Sequence, residues 1–510
     1  MKVKNIFITS GLLTVLFLAS CVTDYGNYEY RDAEAVLPVS ISGIKDTSIM
    51  KGEYLVLEPE VTIKENQENY TYSWYVMPVN YAGALPEKTV WGNTKKLNQQ
   101  VTLAVGNYYL NFAVRDSVRD IYVRKEVILN IKATEVGAGW FVLKDIDNET
   151  DFDYIKNDGT LYPDVLLTLA DPAGSRLKGN AVKIEYQPTR YYHQLIDENG
   201  KVTQTLSNQS VYHILSDEDI KVFNSKELNL FKNQQDVFYT PTVCRPQNIG
   251  YSFSANLFLI NDGKISAIYG MMTNIGKLTI KTGFYTFHPD MMVHRSGNAM
   301  GFDMDNHTFY HVDAYSDMVT FRTGAIPTTN MDATLINLLS ASGVSQYGAT
   351  TRGLAVMKSL DKDEYYLATL NYNNSNAYPI AVSESDPTRV AFDTIPAGSK
   401  FPNASVKAAP FTGNFAYFAD GNKLSVYRNA PGLDAKESLM KEFPAGETIS
   451  YMTNLYKANS FNYLAILTNS SNGWKMYAFN VLGLGNPEFE TTPAFTYQGT
   501  GNARFLMYRE

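Results

Sequence analysis

FLINDGKISAIYG, residues 258–270, holds the smallest unit of the fold: an apolar run, an Asp-Gly turn and a second apolar run. Asp262-Gly263 supplies the backbone freedom that a tight hairpin needs. The same pattern recurs along most of the chain, in WFVLKDIDNETDFDYI (140–155), VYHILSDEDIKVFN (211–224), GFDMDNHTFYHVDA (301–314), YYLATLNYNNSNAYPIAV (365–382), AYFADGNKLSVYRN (416–429) and YLAILTNSSNGWKMYAFNV (463–481). These hairpins start 43 to 71 residues apart, which suits four-stranded propeller blades with loop insertions. One blade cannot bury both of its faces, whereas a closed ring of blades can.

GNARFLMYRE (501–510) ends the chain in an alternating strand that could complete the first blade. About seven blades are expected; six or eight stay open because the intervals 140–211 and 314–365 are irregular. The rival arrangement is a row of further β-sandwiches. Regular hairpin spacing and the lack of a second YSWYV-like signature argue against it.

TEVGAGW (134–140) marks a boundary, and upstream of it the rhythm changes. VSISGI, EYLVLEPEVTI, YTYSWYVMPV, QQVTLAVG, NYYLNFAVRD and KEVILNIKA are short alternating runs separated by turn residues, the pattern of a β-sandwich of about 100 residues. KGEYLVLEPEV (51–61), YSWYV (72–76) and GNYYLNFAVRD (106–116), preceded by CVTDYGNYEY (21–30), resemble the PKD-like lipoproteins of the Bacteroidetes. That resemblance covers roughly residues 21–134. It implies an immunoglobulin-like sandwich with Trp74 as an inward core anchor, and a spacer or interaction role for the module.

Lys2 and Lys4 form a basic head, Ile6 to Leu18 is mostly apolar, and Ala19 and Ser20 precede Cys21, the layout of a secretory signal. Leu18-Ala19-Ser20-Cys21 resembles the lipobox of bacterial lipoproteins, which implies cleavage before Cys21 and acylation at that residue. Several acyl chains at roughly 0.8 kcal/mol per buried CH₂ make a stable anchor. Val22 in place of Asp implies release to the outer membrane. A surface location is expected, with the periplasmic face as the alternative, because Asp24 stands nearly alone where an acidic export cluster would lie. The expected organisation is a signal (1–20), a lipidated tether (21–35), a PKD-like β-sandwich (36–134) and a β-propeller-like domain (135–510), mainly β throughout.

Composition narrows the partners. The formal net charge is −8, with no basic patch, so nucleic acid is not an expected partner. Only Cys21 and Cys244 are present, so packing and not disulfides must stabilise the fold. The 36 tyrosines suit pleated, half-buried surfaces and also offer flat faces to sugars or peptides.

Candidate chemistry is sparse. His288, His294, His307 and His311 lie in FHPDMMVH and NHTFYHVDA, with Asp290, Asp303, Asp305 and Asp313 nearby, residue types that a metal would use. His307 and His311 sit within a hairpin, however, and HExxH is missing. DIDNETDFD (145–153) offers oxygens to calcium but lacks an EF-hand's glycine and terminal glutamate, so a solvated turn is the better reading. No GxSxG elbow or phosphate loop occurs, and no cofactor is expected. Trp91, Tyr191, Tyr192 and Trp474 are the candidates for stacking on a ligand.

Lipoproteins of this type accompany SusC/SusD-type importers, so the resemblance implies a lipid-anchored binding or accessory protein that captures glycan or peptide, and no enzyme. Two alternatives are a surface hydrolase or lyase working at the propeller mouth and a purely structural or adhesive protein.

Overall fold

The computed structural model describes residues 39–510 apart from 64–68, 80–86, 134–135, 241, 253, 271–274, 294–296, 316–331, 344–348, 373–378, 381, 384–385, 391 and 430–435. The signal, Cys21 and the tether therefore lie outside the described residues. The chain forms two compact units, one containing Tyr54–Gln99 and Gly106–Asn130, the other containing Ile131–Glu510. Among the described residues no helix is long and apolar enough to cross a membrane.

The first unit is a sandwich. Its larger sheet runs in the order Thr47–Met50, Ile121–Lys132, Gly106–Asp116, Tyr70–Pro78, Thr89–Gly92. Val39–Ser42 pairs with Glu60–Ile63, and Tyr54–Leu57 with Leu97–Gln100. Trp74 lies opposite Phe112 across the central strand pair, and their ring centres are 4.6 Å apart. Both are fully buried. The indole N–H donates to the carbonyl of Thr94 at 3.1 Å, so burying this ring leaves no polar group unpaired. The expected core anchor is in place.

The second unit is a β-propeller with seven blades among the described residues. Blade one is built from Gly139–Ile146, Glu149–Lys156 and Leu161–Tyr162; its first strand comes from the far end of the chain, Asn502–Arg509. Blade two follows with Ala181–Ile196, Val202–Ser216, Ile220–Asn224 and Leu230–Lys232. Blade three has Pro246–Tyr251, Leu257–Asn261, Lys264–Ile268 and Thr279–Ile280. Blade four has Phe287–Val293, Ala299–Asp303 and Thr308–Val312. Blade five has Ala333–Gly343, Ala349–Ser359 and Tyr365–Tyr372, edged by Phe392–Ile395. Blade six has Val406–Ala408, Phe415–Asp420, Lys423–Arg428 and Glu437–Glu442. Blade seven has Thr448–Lys457, Phe461–Ser470, Gly473–Asn480 and Phe495–Gly499.

The first strand of each blade touches that of the next. Asn502–Arg509 touches both Thr448–Lys457 and Ala181–Ile196, which closes the circle. It pairs antiparallel with Gly139–Ile146, from Gly139 opposite Arg509 to Asp145 opposite Asn502, with a bulge between Leu143 and Lys144.

Successive strand residues point to opposite faces of the sheet, and in a ring both faces meet a neighbouring blade. Leu257 and Leu259 pack on blade two beside Val211 and Val222, while Phe258 and Ile260 pack on blade four beside Phe287 and Ala299. Each neighbouring pair of blades shares its own apolar cluster, including the pair joining blade seven to blade one. Blade strands therefore read as continuous apolar runs. Asp262 and Gly263 both take positive φ, 50° and 71°, as a two-residue hairpin turn that follows the strand twist requires.

Two details differ from the sequence reading. In blade five the central pair is Ala349–Ser359 with Tyr365–Tyr372, so 365–382 begins one strand too late. The irregular 140–211 interval contains the short helix Val165–Thr168 and the first strand of blade two, whose 16 residues make a hairpin with the 15 of Val202–Ser216.

Candidate functional site

In a closed ring, each blade's first strand has one edge paired within its own sheet and the other turned toward the central axis, and here the first strands of blades five and seven pair with each other in parallel at Ser342–Leu455 and Gly343–Tyr456. Backbone groups on that free edge need partners. Polar side chains on neighbouring first strands supply several. Asp290 of blade four accepts from the Leu338 N–H of blade five at 2.9 Å. His288 Nδ1 accepts from the Asp290 N–H at 3.1 Å, and its ring lies against the Ile336 backbone of blade five. The Asn248 amide of blade three donates to the Pro289 carbonyl at 3.0 Å, and its Oδ1 accepts from Lys183 of blade two, also at 3.0 Å. Glu185, 3.7 Å from Lys183, accepts from the Tyr251 backbone. Lys407 of blade six donates to Asn337 Oδ1 of blade five at 2.7 Å.

A polar belt thus runs along successive first strands. Tyr451 of blade seven and Phe505 of the closing strand add an aromatic pair 5.0 Å apart, and the Lys183 ammonium lies 5.7 Å from the Phe505 ring. The Lys183 and Glu185 side chains keep 24% and 23% of their surface, so both remain reachable by solvent although protein surrounds them. Burial sets their electrostatics. It pushes the Glu185 carboxyl up, against the pull of Lys183. It also lowers the Lys407 ammonium to about 8, against the attraction of Asp290, and holds His288 down. The belt offers cations, carboxylates, side-chain amides, a neutral imidazole and an aromatic face, a set suited to hydrogen-bonding a polar solute.

The residues singled out from the sequence are dispersed. Trp474 is no ligand platform: it is buried between blades seven and one, and its indole N–H donates to Asp153 Oδ2 at 2.9 Å. Tyr191 is likewise internal, its hydroxyl donating to the Gly276 carbonyl at 3.2 Å. Tyr192 beside it is half-buried, and Trp91 lies half-buried in Thr89–Gly92, an edge strand of the sandwich. Among the histidines, His288 belongs to the belt, His307 occupies a turn with φ 50°, and His311 is buried 4.0 Å from Asp313. His294 lies outside the described residues. Among the described residues no group of three metal-ligating side chains could hold an ion. Burial raises the Cys244 thiol to about 12, so it is a poor nucleophile at neutral pH.

The tip of DIDNETDFD, Asp147-Asn148, is the expected solvated hairpin turn, with φ 53° and 62°, but the aspartates that flank it are not solvated. Asp151 and Asp153 are fully buried on the strand Glu149–Lys156. Asp153 meets the buried Lys144 ammonium at 2.6 Å, and Asp164 meets it at 3.0 Å. Asp151 binds Arg176 at 2.9 Å and accepts from the Leu166 N–H at 2.8 Å; burial still raises its carboxyl to about 6. Opposite stands Gly499, where a Cβ would come within 2.6 Å of the Trp474 ring and 2.7 Å of Asp153. Only glycine lets these groups meet. This cluster ties blade one to blade seven beside the closing strand.

A PKD-like family model matches residues 21–181. The match spans the tether, the sandwich and blade one up to its junction with blade two. No curated protein matches the chain. Among solved structures, a quinonprotein alcohol dehydrogenase-like protein from Bacteroides thetaiotaomicron is 12% identical, with 91% of this chain and 96% of that chain covered at a TM-score of 0.46. The dihydro-heme d1 dehydrogenase NirN is 8% identical, with 72% and 76% covered and a TM-score of 0.35. A streptogramin B lyase is 8% identical, with 65% and 90% covered and a TM-score of 0.33.

Proposed function

We propose that this protein is a lipid-anchored binding protein of the outer membrane, whose propeller captures a glycan or peptide beside a SusC/SusD-type importer. The observation that carries the binding role is the polar belt, to which successive blades contribute side chains around one axis. Such a site can recognise a polar solute by many hydrogen bonds without a reacting group. The anchor rests on the Leu18-Ala19-Ser20-Cys21 stretch, and the importer on the lipoprotein resemblance at the N-terminus.

Two results test this reading. Metabolic labelling with an alkyne fatty acid should mark the wild-type protein and not Cys21→Ala, and the variant should leave the membrane fraction. Equal labelling of both would remove the anchor. Affinity purification from native outer membranes should recover a transporter pair; recovery of the protein alone would remove the importer partnership.

A further inference from the structure

Lys407 differs from the other charged members of the belt. Lys183 lies beside Glu185, whereas among the described residues Lys407 has no ion pair: it donates to the neutral oxygens of Asn337 and Ala404. An ammonium carries three donors. Two are engaged and the ammonium lies 6.0 Å from the Phe401 ring, which leaves one donor with no carboxylate within ion-pair distance, Asp290 acting on it only from farther off. A half-buried cation in that state favours an anion, since burial strengthens charge pairing.

The surrounding chemistry narrows which anion. A peptide bound by strand pairing needs free backbone groups along the first-strand edges. Several are already taken: the Leu338 N–H by Asp290, the Tyr251 backbone by Glu185, and the Pro289 carbonyl by Asn248. The second N–H of the Asn248 amide, the amide nitrogen of Asn337, whose oxygen alone is engaged by Lys407, and an aromatic pair remain, groups suited to ring hydroxyls and to the apolar face of a sugar. We infer that the belt takes a carboxylated glycan, with a uronate carboxylate against Lys407 and sugar hydroxyls against the amides of the neighbouring first strands. This inference rests on the proposed binding role and specifies its ligand.

The test is calorimetric titration of the full-length protein in detergent with a panel of uronate oligosaccharides, their carboxyl-reduced neutral counterparts, and short peptides with free C-termini. The acidic sugars should bind at least tenfold more tightly than their reduced forms. Lys407→Met should lose at least tenfold for the acidic sugars, while Lys407→Arg, which keeps the charge, should stay within about threefold of wild type. Thermal unfolding of both variants establishes that they are folded. Equal affinity for acidic and reduced sugars, or wild-type affinity in Lys407→Met, would overturn the inference and leave glycan binding standing. Binding of the peptides alone would also overturn it while sparing a binding role. Binding of no probe would remove both.

Discussion

Removing residues 502–510 is expected to abolish the folded propeller. Among the described residues the strand Asn502–Arg509 is blade one's contribution to the inner circle, and it carries Ala503, Leu506 and Tyr508 into the cluster shared with blade seven. Tyr508 packs on Trp140 at 4.7 Å, and Phe505 packs on Tyr451 at 5.0 Å. Exposing four or five such side chains at about 1.5–3 kcal/mol each costs on the order of 10 kcal/mol. That is comparable with the whole stability of a typical domain, about 5–15 kcal/mol. The truncation would also expose the edge of Gly139–Ile146, inviting aggregation. The expected result is insoluble protein or the loss of the cooperative propeller transition in calorimetry, with partial rescue by a synthetic 501–510 peptide. A truncated protein that melts like wild type would show that the closing strand is dispensable.

Asp153→Asn is expected to destabilise the propeller by about 3 kcal/mol, because it leaves the fully buried Lys144 ammonium with Asp164 as its remaining carboxylate. The asparagine oxygen can still accept from the Trp474 indole, but its amide nitrogen then faces the Lys144 ammonium and the Asp164 N–H that Asp153 Oδ1 accepts from at 2.8 Å, so the variant removes both the charge and an acceptor. The mechanism has a sharper signature in the double variant Lys144→Met with Asp153→Asn. With no buried charge left uncompensated at that position, it should be more stable than Asp153→Asn alone, although it carries one more substitution. Urea unfolding of the three proteins measures both effects. A double variant less stable than the single would mean that the Lys144–Asp164 pair by itself compensates the buried ammonium.

How much of this was legible in the sequence depends on how local the signal was. The hairpins were visible because a turn such as Asp262-Gly263 and its flanking apolar runs are contiguous, and the alternation of Trp74 with its neighbours was visible for the same reason. The closing role of 501–510 was also readable, since a terminal alternating strand beyond the last complete blade has one open sheet to join. Blade five was misread by one strand because its central turn, residues 360–364, lacks the Asn-Gly or Asp-Gly signature that marks blade three.

The belt was not legible. Lys183, Asn248, Asp290, Asn337 and Lys407 come from five different blades, and nothing local distinguishes them from surface residues; only ring closure brings them into one series. Trp474 and Tyr191 misled for the converse reason. A tryptophan just after a turn reads as exposed, but Gly499 opens the space that lets it reach Asp153 across the blade joint. DIDNETDFD misled in part: Asp147 is solvated as expected, but Asp151 and Asp153 are buried where Arg176 and Lys144, on the adjacent strand, meet them.

The central claim is that ligand is held by the first strands of the propeller. Amide hydrogen exchange of the full-length protein, with and without a mixed pool of neutral and carboxylated oligosaccharides, tests it most directly. The account predicts added protection in 183–187, 246–251, 287–293, 333–338 and 406–408, with the sandwich unchanged. Protection confined to the sandwich strands, or no protection anywhere, would contradict it.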